Sequence, residues 1–111
     1  MSGDGELRAD QASFDAFSES PIPAGITPIV DARARVRARF EGDVRRIRIH
    51  SLAAVPTLEV QLDDGTGRIS ALFMGRRGIG GIECGRRLAI EGTPVDGERG
   101  LTLYNPAYDL R

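Results

Sequence analysis

The sequence predicts an all-β domain: five short strands rolled into a small barrel behind an acidic leader. Three observations predict it. From Arg33 onward apolar and polar residues alternate with a period of two, the pattern of strands with one buried and one wet face. Two segments, Asp64-Gly65-Thr66-Gly67 and Asp96-Gly97-Glu98-Arg99-Gly100, carry the residues of tight hairpin turns. The closing segment, Tyr104-Asn105-Pro106-Ala107-Tyr108, places a proline where a last strand must break or become an edge.

Residues 1–27 form the leader and residues 28–111 the barrel. Within the leader, 1–6 are small, polar and acidic, the composition of a disordered terminus. Leu7, Gln11, Phe14 and Phe17 fall at helical spacing and predict a short helix over 7–19. Three prolines and a glycine between Ser18 and Pro28 predict a loop. The leader reads as an acidic tail with one apolar turn docked on the barrel, or as a nucleic-acid mimic that covers an arginine face.

The first strand starts at Arg33, with Arg33, Arg35, Arg37 and Arg39 outward and Ala34, Val36, Ala38 and Phe40 inward. Val44 keeps this phase across Gly42, but Ile47 and Ile49 do not. One extra residue near Arg45-Arg46 restores it, which predicts a β-bulge. A long strand bent by a glycine and a bulge can serve both halves of a barrel. The connection from His50 to Pro56 leads to a second strand with Leu58, Val60 and Leu62 inward. After the first hairpin, Ile69 to Met74 is the third strand, with Phe73 in phase with Ile69 and Ala71 in the core and Leu72 and Met74 exposed. The loop Gly75 to Gly85 brings Ile79 and Ile82 over one barrel end. Arg87 to Thr93 is the fourth strand, Leu88 and Ile90 inward, with a tight bend at Gly92. Leu101, Leu103 and the Tyr104–Tyr108 segment make the fifth. This succession is that of the five-stranded Greek-key barrel of the oligonucleotide/oligosaccharide-binding (OB) type, which more often holds a polymer than cuts one.

At 111 residues the chain suffices for one modest core. It has no apolar run near the roughly 18 residues a membrane helix needs and no basic-then-apolar signal-peptide pattern. A single cysteine, Cys84, fits a reducing compartment, so the expectation is a cytoplasmic protein without membrane contact. The net charge of −1 hides an asymmetry: residues 1–31 hold six acids and one arginine, residues 32–111 fourteen arginines and ten acids. No lysine is present. A high-GC genome produces that bias; arginine is also the better residue for bidentate phosphate contacts and for stacking on bases.

Enzyme chemistry finds no constellation. Without lysine there is no Walker-type phosphate loop and no Schiff base. One histidine and one cysteine cannot complete a zinc site. His50-Ser51 lacks a third partner for nucleophilic catalysis. Asp63-Asp64 reads as the start of an Asp-Gly hairpin rather than a catalytic pair, and Gly78, Gly80 and Gly81 lack dinucleotide spacing. The sequence implies no cofactor, no metal and no enzyme.

The run Leu58-Glu59-Val60-Gln61-Leu62-Asp63-Asp64-Gly65-Thr66-Gly67, followed by an apolar strand and Gly85-Arg86-Arg87-Leu88-Ala89-Ile90-Glu91-Gly92, resembles the tRNA-anticodon/RecG-wedge class of OB domains. Leu103-Tyr104-Asn105-Pro106-Ala107-Tyr108 is similar to that class's terminal motif. Gly75-Arg76-Arg77, Gly81-Ile82 and the Tyr-Asn-Pro ending resemble a family of small, stand-alone actinobacterial OB-fold nucleic-acid-binding proteins. The resemblance covers about residues 27 to 111 and implies an OB fold, a nucleic-acid ligand and no catalytic residues.

A binder of single strands needs a cationic groove and aromatic platforms. In an OB barrel that groove crosses the second and third strands between the first-to-second and fourth-to-fifth loops. Arg46 and Arg48, next to the first loop, are the leading phosphate contacts, followed by Arg76 and Arg77 at the third-strand exit. Phe73, Tyr104 and His50 are the candidate planar surfaces. Tyr104 and Tyr108 can instead close the barrel with wet hydroxyls, and Arg35, Arg37 and Arg39 can be a solvated face. Glu59, Gln61 and Asp63 make the outward side of the second strand acidic, which opposes a strong groove. Two readings follow: a non-enzymatic binder of single-stranded or structured DNA or RNA, or a protein-interaction module that docks on a larger bacterial complex or self-associates through an edge strand or the Leu72/Met74 face.

Overall fold

The computed structural model describes residues 25–111; the leader's helix at 7–19 and most of its proline loop lie outside the described residues. A 3-10 turn, Ile29–Asp31, precedes seven strands: β1 Ala38–Leu52, β2 Val55–Asp63, β3 Arg68–Met74, β4 Arg87–Gly92, β5 Val95–Gly97, β6 Gly100–Tyr104 and β7 Ala107–Leu110. They form one mixed sheet in the order β5-β6-β3-β2-β1-β4-β7. All ladders are antiparallel except the parallel β3–β6 pair.

β1 organises the sheet. Its first part pairs with β4, from Ala38↔Gly92 to Asp43↔Arg87, and Asp43 to Leu52 pairs with β2. The predicted bulge is present: the register shifts between Val44 and Arg46, leaving Arg45 without an opposite. Beyond it Ile47 and Ile49 stand opposite Val60 and Leu58, and Arg46, Arg48 and His50 turn to the other face. Gly42 is required by close approach, because a Cβ there would lie 2.9 Å from the Asp63 carbonyl oxygen.

The core lies on the face that carries Phe40 and Val44 of β1, Leu58, Val60 and Leu62 of β2, Ile69, Ala71 and Phe73 of β3, Leu88 and Ile90 of β4, and Leu103 of β6. Ile79 and Ile82 from the long β3–β4 loop join it, as their spacing predicts. The sheet curls around this core, yet its ladder stays open, with β5 and β7 as edges. Side chains bridge the gap: Leu103 packs at the Cα of Gly92, and the Phe73 and Tyr108 rings meet edge to face at 5.6 Å between centroids. Gly92 therefore serves close packing rather than a left-handed bend.

The division of the expected fifth strand explains the open ladder. Asn105 takes a positive φ of 49°, and Pro106 has no N–H to donate. The chain turns there, so β6 stays on β3 while β7 crosses to β4. Asn105 fixes the turn: its N–H donates to the Leu72 carbonyl at 2.7 Å and its Oδ1 accepts from the Met74 N–H at 2.9 Å.

Three expectations need correction. The first strand begins at Ala38, not Arg33, because Arg33 to Val36 is a turn with Arg35 at φ 71° and its N–H on the Pro94 carbonyl. Val36, expected inward, is 52% exposed. The connection after His50 is also shorter than predicted. β1 and β2 pair out to Leu52↔Val55 around a two-residue turn, with Ala53 and Ala54 both at positive φ, an uncommon conformation for alanine. Leu72, expected to be exposed, is 8% exposed, flanked in register by Glu59 and Tyr104.

Candidate functional site

Register alone assembles the face opposite the core. One row across the sheet reads Arg46, Gln61, Ser70, Thr102, Val95; the next reads Arg48, Glu59, Leu72, Tyr104; a third reads His50, Thr57, Met74. Arg46, Arg48, Glu59, Gln61 and Arg99 line a shallow depression on it. The β1–β2 turn bounds the face at one end, and the β5–β6 turn, which carries Arg99, bounds it at another.

The floor is unusually dry for so polar a surface: Thr57, Ser70 and Thr102 are buried and Glu59 is 7% exposed. Buried carboxylates are retained only with partners. Glu59 Oε1 lies 3.0 Å from Arg99 Nη1 and 3.0 Å from His50 Nε2, and its Oε2 lies 3.3 Å from the same guanidinium nitrogen. A carboxylate can only accept, so both the guanidinium and the imidazole donate to it. The acidity of β2 is therefore neutralised within the face.

Asp63 is likewise committed. The Gly65 N–H and the Arg68 guanidinium donate to it, outweigh the cost of its burial and, with the nearby charge of Arg45, hold its carboxyl below the usual range. Asp64 ties the β2–β3 turn to the 3-10 turn. Its burial favours the neutral acid, but donors from the Thr66 hydroxyl and from the N–H groups of Ile29, Thr66 and Gly67 win and lower its pKa. The Asp-Gly motif is thus a turn device, as its spacing predicts.

Seven of the fourteen arginines among the described residues make ion pairs: besides Arg99, these are Arg37 with Glu91, Arg39 with Asp109, Arg45 and Arg68 with Asp63, Arg87 with Glu41 and Asp43, and Arg111 with Asp109 and Glu41. The Arg87 guanidinium is held charged still more firmly than usual, first by its hydrogen bond to Glu41. Arg46 and Arg48 make no ion pair among the described residues. They stand side by side on the outer face of β1, with Arg99 on the same depression.

Of the residues singled out by sequence, Arg46, Arg48, His50 and Tyr104 share this face, and Tyr104 is 49% exposed. Arg76 and Arg77 are exposed on the loop that leaves β3. That loop begins where the Gly75 N–H donates to the Pro56 carbonyl, close to the β1–β2 turn, so they sit at the rim. Phe73 is in the core, 5% exposed, and offers no open ring face. Sequence reasoning missed Arg99 as a site residue and misjudged Glu59. Arg99 was legible as the cation at the tip of the second hairpin; that it reaches Glu59, forty positions earlier, follows only from the β3–β6 pairing.

No family model matches the chain, and a search of curated proteins finds no match either. Among the described residues, no helix is long and apolar enough to cross a membrane.

Proposed function

We propose that this chain is a non-enzymatic, cytoplasmic nucleic-acid-binding domain of the OB type, holding single-stranded or structured DNA or RNA across the outer face of β1, β2, β3 and β6. The observation that carries the reading is the pair Arg46 and Arg48, free of ion pairs among the described residues and sharing one depression with Arg99. Three guanidiniums against one carboxylate leave the depression net cationic, which favours a chain of phosphates. Tyr104 supplies an exposed ring on the same face for base stacking. The OB assignment draws support from β1 pairing with both β2 and β4, from the parallel β3–β6 ladder, and from two hairpin turns flanking the face where OB domains take their ligands.

Of the two surfaces named for self-association in the docking-module reading, the Leu72/Met74 face is reduced, since Leu72 is buried. The other, an edge strand, is β5 or β7, only three and four residues long. Fluorescence anisotropy with labelled single-stranded DNA and RNA at roughly 50 and 200 mM salt tests the function. Binding at micromolar concentration or tighter that weakens as salt rises is expected. No binding to either polymer at the lower salt overturns the proposal.

A further inference from the structure

We infer that Glu59 is the built-in counter-anion of this face, and that Arg99 exchanges Glu59 for a phosphate of the ligand when the site fills. The inference rests on the phosphate-binding reading of the site and adds how that site is regulated.

The geometry separates Arg99 from the other two cations. Arg46 and Arg48 project from the long stretch of β1, Asp43 to Leu52, that is laddered to β2. Arg99 projects from the turn of the β5–β6 hairpin, and β5 is an edge strand with three paired residues and no neighbour beyond β6. Gly97 and Gly100 frame that turn, and Gly100 is at φ 109°. The tip is therefore held to the sheet by a short ladder and by the clasp of Arg99 on Glu59. Local opening concentrates in such lightly bonded elements.

The carboxylate can release Arg99 because it has a second partner. His50 Nε2 already lies on Oε1 at 3.0 Å, so Glu59 is not left without a donor when the guanidinium leaves. An incoming phosphate meets opposing forces. Arg46 and Arg48 attract it, while Glu59, in register between Arg48 and Leu72, competes with it for Arg99. A lone anion gains little from the exchange. A polyanion that spans the depression engages Arg46 and Arg48 and draws Arg99 off Glu59, so the clasp selects for several linked phosphates.

The test titrates an oligothymidylate and, separately, inorganic tripolyphosphate into the wild type, Glu59→Gln, Arg99→Gln and the double variant, with circular dichroism to verify folding. Glu59→Gln is expected to tighten binding of both ligands about tenfold, because Arg99 then meets the phosphate without giving up a carboxylate. In the Arg99→Gln background that gain should shrink below about twofold, because the two residues act as a pair. The wild type also carries a readout of its own: the Arg99 Nε–Hε resonance should move when either ligand is added. An equal gain in both backgrounds overturns the exchange, as does a bound ligand that leaves the Arg99 resonance in place. Tripolyphosphate binding with these signatures, but no oligonucleotide binding, keeps the clasp and removes the nucleic-acid reading. Oligonucleotide binding that ignores Glu59→Gln does the reverse. Failure of both ligands to bind removes both.

Discussion

Replacing Arg46 and Arg48 together by alanine tests the face at its centre. Each guanidinium that neutralises a phosphate of a single strand releases condensed counterions and adds about −0.7 to the slope of log affinity against log salt. With Arg46, Arg48 and Arg99 engaged, the expected slope is about −2.1, so that raising salt from 50 to 200 mM weakens binding about twentyfold. The double variant keeps Arg99 alone. Its slope should fall to about −0.7, and the same salt step should cost only about threefold. At 50 mM the variant should bind about sixtyfold more weakly, the salt-dependent share of two lost contacts. The fold should survive, since neither side chain makes an ion pair among the described residues and Arg46 is exposed. Anisotropy titrations at four salt concentrations give the slope, and circular dichroism verifies the fold. A folded variant with the wild-type slope refutes the assignment of phosphates to this face.

The remaining predictions concern the fold that presents it. Converting Ala53-Ala54 to Asn-Gly relieves two left-handed alanines in the β1–β2 turn and should stabilise the domain by about 1 kcal/mol, read as a higher urea midpoint; an unchanged or lower midpoint contradicts the turn geometry. Gly42→Ala drives a methyl against the Asp63 carbonyl and should destabilise by about 1–3 kcal/mol in the same assay, because backbone cannot yield as a side chain does. Asp63 and Asp64 have folded pKa values below the unfolded 3.8, so they stabilise the fold above that value and the contribution fades as pH falls through the lower folded values. Thermal melts between about pH 5 and 2 should show a falling midpoint, with a smaller fall in Asp64→Asn; an equal fall in that variant would show that Asp64 takes no part.

The site was partly legible because strand periodicity is a local property. Alternation placed Arg46 and Arg48 outward, provided the bulge was counted, and the loss of phase at Ile47 and Ile49 supplied the count. Tyr104 falls on the same face because it follows the inward Leu103; His50, read as the start of a connection, joins it only because β1 runs on to Leu52. Phe73 as a planar platform failed on its own phase, which puts it in the core with Ile69 and Ala71. The acidity of β2 looked like an obstacle because a sequence shows charges without their partners.

By itself the sequence determined the strands of the sheet's centre, the Asp-Gly turn, the bulge, most core positions and the proline break after Tyr104, all set by side chains within a few residues of one another. It misplaced the start of β1, where the polarity pattern runs on through Arg33 to Arg37 although the backbone has turned at Arg35. Only the tertiary structure decided that the last strand divides between β3 and β4, that the ladder stays open, and that Arg99 closes on Glu59. Those outcomes depend on pairing between segments far apart in the chain, where hydrogen-bond partners and counter-charges are chosen by register in space and not by neighbours in sequence.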